Sequence, residues 1–165
     1  MPIQKITPCL WFDKEAEEAV TFYTSIFKNS KIGMISRFGK EGFEIHGQPE
    51  GLVMTITFEL DGQPFTALNG GPQFKFTEAV SLQVGCDTQE EIDYYWSKLT
   101  ADGGEESYCG WLKDKFGLSW QIFPSLLPQL LTDKATAGKV TNAFMQMRKF
   151  DIETLKKAAT TAKAD

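Results

Sequence analysis

Apolar and polar residues alternate with a period of two, shift to a helical period, and return to two, and this cycle runs twice along the chain. Residues 6–12 alternate and predict a first strand. Asp13 then stands as a candidate N-cap for a helix over 14–28, on which Ala16, Ala19, Val20, Phe22, Tyr23, Ile26 and Phe27 make one apolar stripe. Residues 31–38 read as a second strand. Residues 39–51, rich in glycine and charge and carrying the only histidine, His46, read as a loop. Residues 52–60 alternate again, Asp61-Gly62 is a hairpin turn, and 63–69 is the return strand.

The second cycle repeats the order. Residues 79–86 predict a strand, and Thr88-Gln89-Glu90-Glu91 forms a capping box for a helix carrying Ile92, Tyr95, Trp96 and Leu99 that stops at Gly103-Gly104. Residues 105–112 and 118–123 are further strands. Glu18-Ala19-Val20-Thr21-Phe22-Tyr23 lines up with Glu91-Ile92-Asp93-Tyr94-Tyr95-Trp96, an internal echo of the kind a duplication leaves. The expected fold class is α+β, with paired βαβββ modules over 3–70 and 79–124 forming one domain, 1–124. A helical C-terminal extension, 125–165, follows, with helical patterns at 126–131, 135–147 and 152–159. Leu126, Leu127, Leu130, Leu131, Val140, Phe144 and Met147 give it an apolar face. That face suggests a homodimer held partly by the extension.

A length of 165 residues and a hydrophobic fraction of 42% fit one ordinary globular domain. The net charge of −5 and the scattered basic residues argue against nucleic acid. No apolar run of about 18 residues is present to span a bilayer, and residues 1–5 lack the apolar core of a secretion signal. Cys9, Cys86 and Cys109, odd in number and widely spaced, read as free thiols of a cytoplasmic protein.

Three stretches carry chemistry-bearing residues in a specific order: Asn69-Gly70-Gly71-Pro72 with Phe74 and Phe76; Ala79-Val80-Ser81-Leu82; and Cys109-Gly110-Trp111-Leu112-Lys113-Asp114-Lys115-Phe116-Gly117-Leu118-Ser119-Trp120-Gln121-Ile122. Over residues 3–124 the chain resembles the PhnB-like branch of the vicinal-oxygen-chelate (glyoxalase/bleomycin-resistance/dioxygenase) superfamily, a branch often labelled 3-demethylubiquinone-9 3-methyltransferase. The resemblance implies a glyoxalase/bleomycin-resistance fold. A methyltransferase of the usual kind needs a glycine-rich loop between strand and helix, whereas Gly70-Gly71 leads into Pro72 and a strand. The metal-using relatives place four ligands on the inner faces of the first, fourth, fifth and eighth strands. Counting from helices and turns assigns these positions to Thr7, Thr66, Ala79 and Gln121. None brings charge to a divalent cation, so neither a metal nor any other cofactor is expected.

Strand parity separates two faces. Pro8, Leu10 and Phe12, with Leu52, Met54, Ile56, Phe58, Leu60, Phe65, Ala67, Val80, Leu82 and Val84, suit the side packed under helices. The opposite, hydroxyl-rich face offers Cys9, Trp11, Thr57, Glu59, Thr66, Leu68, Ser81, Gln83, Gln121 and Phe123 as ligand-binding candidates. Trp11, Trp111 and Phe123 suit aromatic walls; Trp96 and Trp120 suit the core. His46 reads as a solvated loop side chain and Cys109 as a structural cysteine, since neither has a visible partner for catalysis. No catalytic residue is assigned. The expected function is metal-independent binding of a small organic molecule in the sheet cup. The alternative is a lyase, isomerase, dioxygenase or methyltransferase-labelled enzyme, for instance with Glu59 as base.

Overall fold

The computed structural model describes residues 5–160; the expectations for residues 1–4 and for 161–165 fall outside them. The chain divides into two compact units between Lys75 and Phe76. Among the described residues no helix is long and apolar enough to cross a membrane.

The first unit runs β1 (Cys9–Phe12), α1 (Ala16–Ile26), β2 (Lys31–Arg37), α2 (Phe43–His46), β3 (Val53–Leu60) and β4 (Gln63–Asn69). Its sheet has the order β1-β4-β3-β2, with β1 parallel to β4 and the other pairs antiparallel. The apolar stripe of α1, Ala16, Ala19, Val20, Tyr23 and Ile26, is buried and packs on β3 and β4. Leu10, Phe12, Ile56, Phe58, Leu60, Phe65 and Ala67 are buried too, and Phe58 stacks on Phe65 at 5.3 Å between ring centroids.

Three expectations change here. Met54 does not share the helix face: it is 39% exposed while Val53 is 1% exposed. An irregularity between Ser36 and Arg37 shifts the β2–β3 register and swaps the faces at this end of β3. The expected loop 39–51 holds the short α2, which glycines in the left-handed region, Gly42 and Gly47, open and close. Asp13 does not cap α1; its Oδ1 is buried without a hydrogen-bond partner. The cap comes instead from Asn69, whose Oδ1 accepts from the Ala16 N–H at 2.9 Å.

The second unit repeats the topology. It runs β5 (Ser81–Cys86), α3 (Gln89–Leu99), a short 3₁₀ turn (Ala101–Gly103), β6 (Glu105–Glu106), β7 (Trp111–Lys113) and β8 (Ser119–Pro124), with sheet order β5-β8-β7-β6 and β5 parallel to β8. The βαβββ order of the first unit thus recurs in the second. Thr88 caps α3 as expected, its Oγ1 accepting from the Glu91 N–H at 3.2 Å, while Glu91 Oε2 accepts from the Asp87 N–H at 2.8 Å. Residues 105–112 are not one strand: β6 and β7 pair with each other, because Cys109 (φ 57) and Gly110 (φ 78) turn the chain between them. β5 starts at Ser81, leaving Ala79 and Val80 outside it and Val80 exposed.

The C-terminal extension supplies α4 (Leu127–Thr132), α5 (Ala137–Phe144) and α6 (Ile152–Thr160) to this second unit. Val140, Phe150, Ile152 and Leu155 are buried. Gln89 on α3 grips the segment between α5 and α6: its Nε2 donates to the Phe150 carbonyl at 3.0 Å and its Oε1 accepts from the Ile152 N–H at 2.9 Å. Lys149 pairs with Asp93 at 2.6 Å. The Cys109 and Gly110 N–H groups donate to the Met147 and Arg148 carbonyls, each at 2.8 Å. The extension thus packs part of its apolar surface within its own unit, while Leu131 and Met145 stay exposed.

Candidate functional site

Strand pairing in the second unit fixes which side chains meet on the face opposite α3. β8 is central, and Gln121 lies opposite Gln83 on β5 and opposite Trp111 on β7, while Ser119 lies opposite Ser81 and Lys113. The amide of Gln121 joins a polar ladder. Its Nε2 donates to Ser81 Oγ at 2.7 Å and its Oε1 accepts from Gln83 Nε2 at 3.3 Å. Phe123, half-buried, continues this face one step further, beside Gly85, which has no side chain to cover it. Of the sequence candidates, Ser81, Gln83, Gln121 and Phe123 therefore stand together.

At the other end of the same face a cleft of about 360 Å³ opens, lined by Trp111, Leu112, Lys113 and Ser119 with Glu78, Glu105, Glu106 and Ser107. Lys113 pairs with Glu78 at 2.6 Å, which raises the Lys113 pKa and lowers that of Glu78. The indole Nε1 of buried Trp96 donates to Glu106 at 2.7 Å. Ser119 is 0% exposed, and its Oγ has no hydrogen-bond partner. Sequence reasoning did not single out the Glu78, Glu105, Lys113 and Ser119 positions. The signal was there, since a turn at Asp114 forces Lys113 and Ser119 onto the side that Trp111 and Gln121 share.

The first unit gathers the other candidates on the face opposite α1. Cys9 sits beside Thr66, Thr66 beside Thr57, and Leu68 beside Trp11 and Thr55. Several are already committed. Thr57 Oγ1 accepts from the Met34 N–H at 2.8 Å, and Thr55 and Ser36 share a hydrogen bond of 2.6 Å. Glu59 forms an ion pair with Lys31 at 3.2 Å. Cys9 lies at an exposed position, yet partial burial still pushes its thiol up, away from the thiolate. Cys86 is buried and pushed up to about 12, chiefly by burial, with Glu91 and Asp87 adding to it. His46 holds its own loop together, accepting from the Gln48 N–H at 2.9 Å through Nδ1 and contacting the Glu41 carbonyl at 3.1 Å through Nε2.

The family model described as 3-demethylubiquinone-9 3-methyltransferase matches residues 4–123. The chain belongs to this PhnB-like family. A PhnB protein from Bacillus cereus is 43% identical, with 72% of this chain and 98% of that one covered and a TM-score of 0.64. FosX, the fosfomycin resistance protein of Listeria monocytogenes, is 19% identical over 80% of this chain and 99% of its own, with a TM-score of 0.53. A structure of FosX complexed with Mn(II) and sulfate is 16% identical over 79% of this chain and 97% of its own, with a TM-score of 0.51. At these identities FosX shares the fold alone, that of the glyoxalase/vicinal-oxygen-chelate superfamily. No curated protein matches the chain.

The stretches that carry the PhnB-like resemblance build the fold. Asn69 is 2% exposed; besides capping α1 it donates from Nδ2 to the Val53 carbonyl at 2.9 Å. Trp11 lies against Gly70, where any Cβ would intrude on its ring. Its Nε1 donates to the Gly71 carbonyl at 2.9 Å, and Phe74 meets it edge-on at 4.9 Å. In the third stretch Asp114, 3% exposed, accepts from the Phe116 and Leu118 N–H groups at 2.9 and 3.1 Å through Oδ1, and from Trp120 Nε1 at 2.8 Å through Oδ2. Gly117 (φ 83) completes that turn.

Of the positions counted as metal-ligand equivalents, Thr7 precedes β1, Thr66 lies on β4 and Gln121 on β8. Ala79 is corrected: it lies outside β5, and Ser81 is the residue of that strand hydrogen-bonded to Gln121. Among the described residues no three His, Cys, Asp or Glu side chains come together as a metal site would require.

Proposed function

We propose that this PhnB-like protein binds a small organic molecule on the face of its second sheet opposite α3, without a resident divalent cation. The observation that carries this reading is the ladder Ser81–Gln121–Gln83. An amide pair held in register keeps spare donor and acceptor capacity, and it suits the carbonyl or hydroxyl of a ligand. Trp111 and Phe123, half-buried on the same face, give apolar area beside the polar anchors, the usual composition of a small-molecule site.

A divalent ion does not fit this face. Ser81, Gln83 and Gln121 are neutral, and both polar ends of the Gln121 amide are engaged by Ser81 and Gln83. A neutral hydroxyl and amide set gives no charge to offset the dehydration of the ion. The carboxylate that sequence reasoning offered, Glu59, is occupied by Lys31, and Glu78 of the second unit is occupied by Lys113. Glu59 held in an ion pair is also poorly placed to serve as a general base. Methyl transfer, which the family description names, receives no support from the fold: each sheet is a four-stranded mixed one, and Gly70-Gly71 runs into Pro72 and not into a helix.

Native mass spectrometry of the purified full chain tests the reading, followed by titration of any carried-over molecule into Gln121→Ala and Gln83→Ala. Weaker binding by both variants with unchanged melting supports it. One equivalent of metal surviving dialysis, or unchanged affinity in both variants, overturns it.

A further inference from the structure

We infer that the cleft beside β6 and β7 is a subsite for a small organic cation that also carries a hydroxyl or similar hydrogen-bonding group. The inference rests on the proposed small-molecule reading and adds the chemical class of the ligand.

The polar anchor is Ser119. Its residue is 0% exposed and its Oγ has no partner, although nearly every buried hydroxyl in a folded protein has one. Pairing with Lys113 and Ser81 sets Ser119 on the face away from α3, and it lines the cleft of about 360 Å³. That volume falls within the ~300–1,000 Å³ range of pockets that hold small molecules. A ligand hydroxyl reaching the floor completes the hydrogen bonding of Ser119, acting as either donor or acceptor.

Charge sets the sign of the rest of the ligand. Glu78, Glu105 and Glu106 line the cleft against a single cation, Lys113. Lys113 is already neutralised by Glu78 at 2.6 Å. Glu106 accepts the Trp96 indole at 2.7 Å, which leaves its formal charge in place. Glu105 lies opposite Lys113 in the β6–β7 register and is exposed at the rim. An anion entering here meets carboxylates and an ammonium already paired, whereas a cation meets an excess of negative charge. The indole of Trp111, half-buried along the wall, adds a π surface on which an ammonium or guanidinium group rests favourably.

Isothermal titration of the full chain with choline tests the inference, using 3,3-dimethyl-1-butanol as its uncharged isostere, tetramethylammonium as the cation lacking a hydroxyl, and inorganic phosphate as the anion. The expected result is millimolar or tighter choline binding, about tenfold stronger than the isostere and weakened by salt, with no uptake of phosphate. Glu105→Gln, an exposed change that leaves folding intact, should weaken choline and tetramethylammonium alike. Ser119→Ala should weaken choline and spare tetramethylammonium. Equal binding of choline and its isostere, preference for phosphate, or indifference to both variants overturns the inference. If a carried-over neutral molecule binds through Gln121 and Gln83 while choline does not bind at all, the cation subsite falls and the wider reading stands.

Discussion

Removing the carboxylate of Asp114 should cost the second unit a large part of its stability. The side chain is 3% exposed and holds three donors at once: the Phe116 and Leu118 N–H groups at 2.9 and 3.1 Å and Trp120 Nε1 at 2.8 Å. Each donor left without a partner in a buried place costs about 1–3 kcal/mol. Phe116 is half-buried and its N–H can reach water, but Leu118 and Trp120 are buried. Asp114→Ala should therefore destabilise by about 4 kcal/mol, a severe loss against the ~5–15 kcal/mol of an ordinary domain. Asp114→Asn keeps one acceptor but turns an N–H₂ toward a donor, and should cost about 2 kcal/mol. The decisive measurement is a double-mutant cycle with Trp120→Phe, read by urea unfolding with an unchanged slope. In the Phe background the Asn substitution should become milder, giving a coupling of about 1–2 kcal/mol. A penalty for Asp114→Asn below about 0.5 kcal/mol, or one unaffected by Trp120→Phe, would refute the role given to this carboxylate.

Three more expectations follow from the same geometry. Gly70→Ala places a Cβ inside the Trp11 ring contact, so it should lower the melting temperature and shift the Trp11 indole signal in NMR; an unchanged spectrum contradicts the packing. Gln121→Glu alone should take up no manganese or zinc in equilibrium dialysis, because its neighbours Ser81 and Gln83 stay neutral; tight uptake would show that a single carboxylate suffices on this face. The Asp93 pKa is lowered, first by its hydrogen bond to Lys149 and then by Gln89. A depressed folded value means that the contribution is present above the ordinary carboxyl range, about pH 4, and is lost as pH falls through the folded value. Protection from hydrogen exchange at the amides that the extension covers, Cys109 and Gly110, should be lower in Lys149→Met than in the parent at neutral pH, and the difference should shrink as acidification protonates Asp93 in the parent. Identical acid profiles would mean that the ion pair does not hold the extension.

What could be read from the sequence was local. The stripe on α1 and the Thr88 cap depend on neighbours within a few residues, and both stand in the structure. The elements that misled depend on distant partners. Asp13 looked like a cap because it precedes the helix, whereas the cap that forms comes from Asn69, 53 residues beyond the Ala16 N–H it receives. Met54 kept perfect alternation in sequence and lost its face to an irregularity in the pairing with β2, which no single-strand pattern records. The break between β6 and β7 was written in the Cys109-Gly110 turn, but apolar residues on either side masked it. The polar ladder could be inferred by parity from Gln83 and Gln121. The cleft at Ser119 was legible only in part: parity sets Ser119 beside Gln121, but the cleft also requires the hairpin register and the place of Glu78 outside any strand.

The Asn69 cap also sets an order for folding. α1 has 11 residues, and isolated helices shorter than about 12–15 residues are marginal in water. The side chain that receives the Ala16 N–H belongs to the last residue of β4, and its other hydrogen bond goes to the first residue of β3. During synthesis α1 leaves the ribosome long before that side chain is made. The helix must wait, frayed at its start, until the β3–β4 hairpin has closed and brought Asn69 back to it. The first unit is thereby committed to late, non-local assembly, and a nascent chain halted before residue 69 should hold its first helix only weakly.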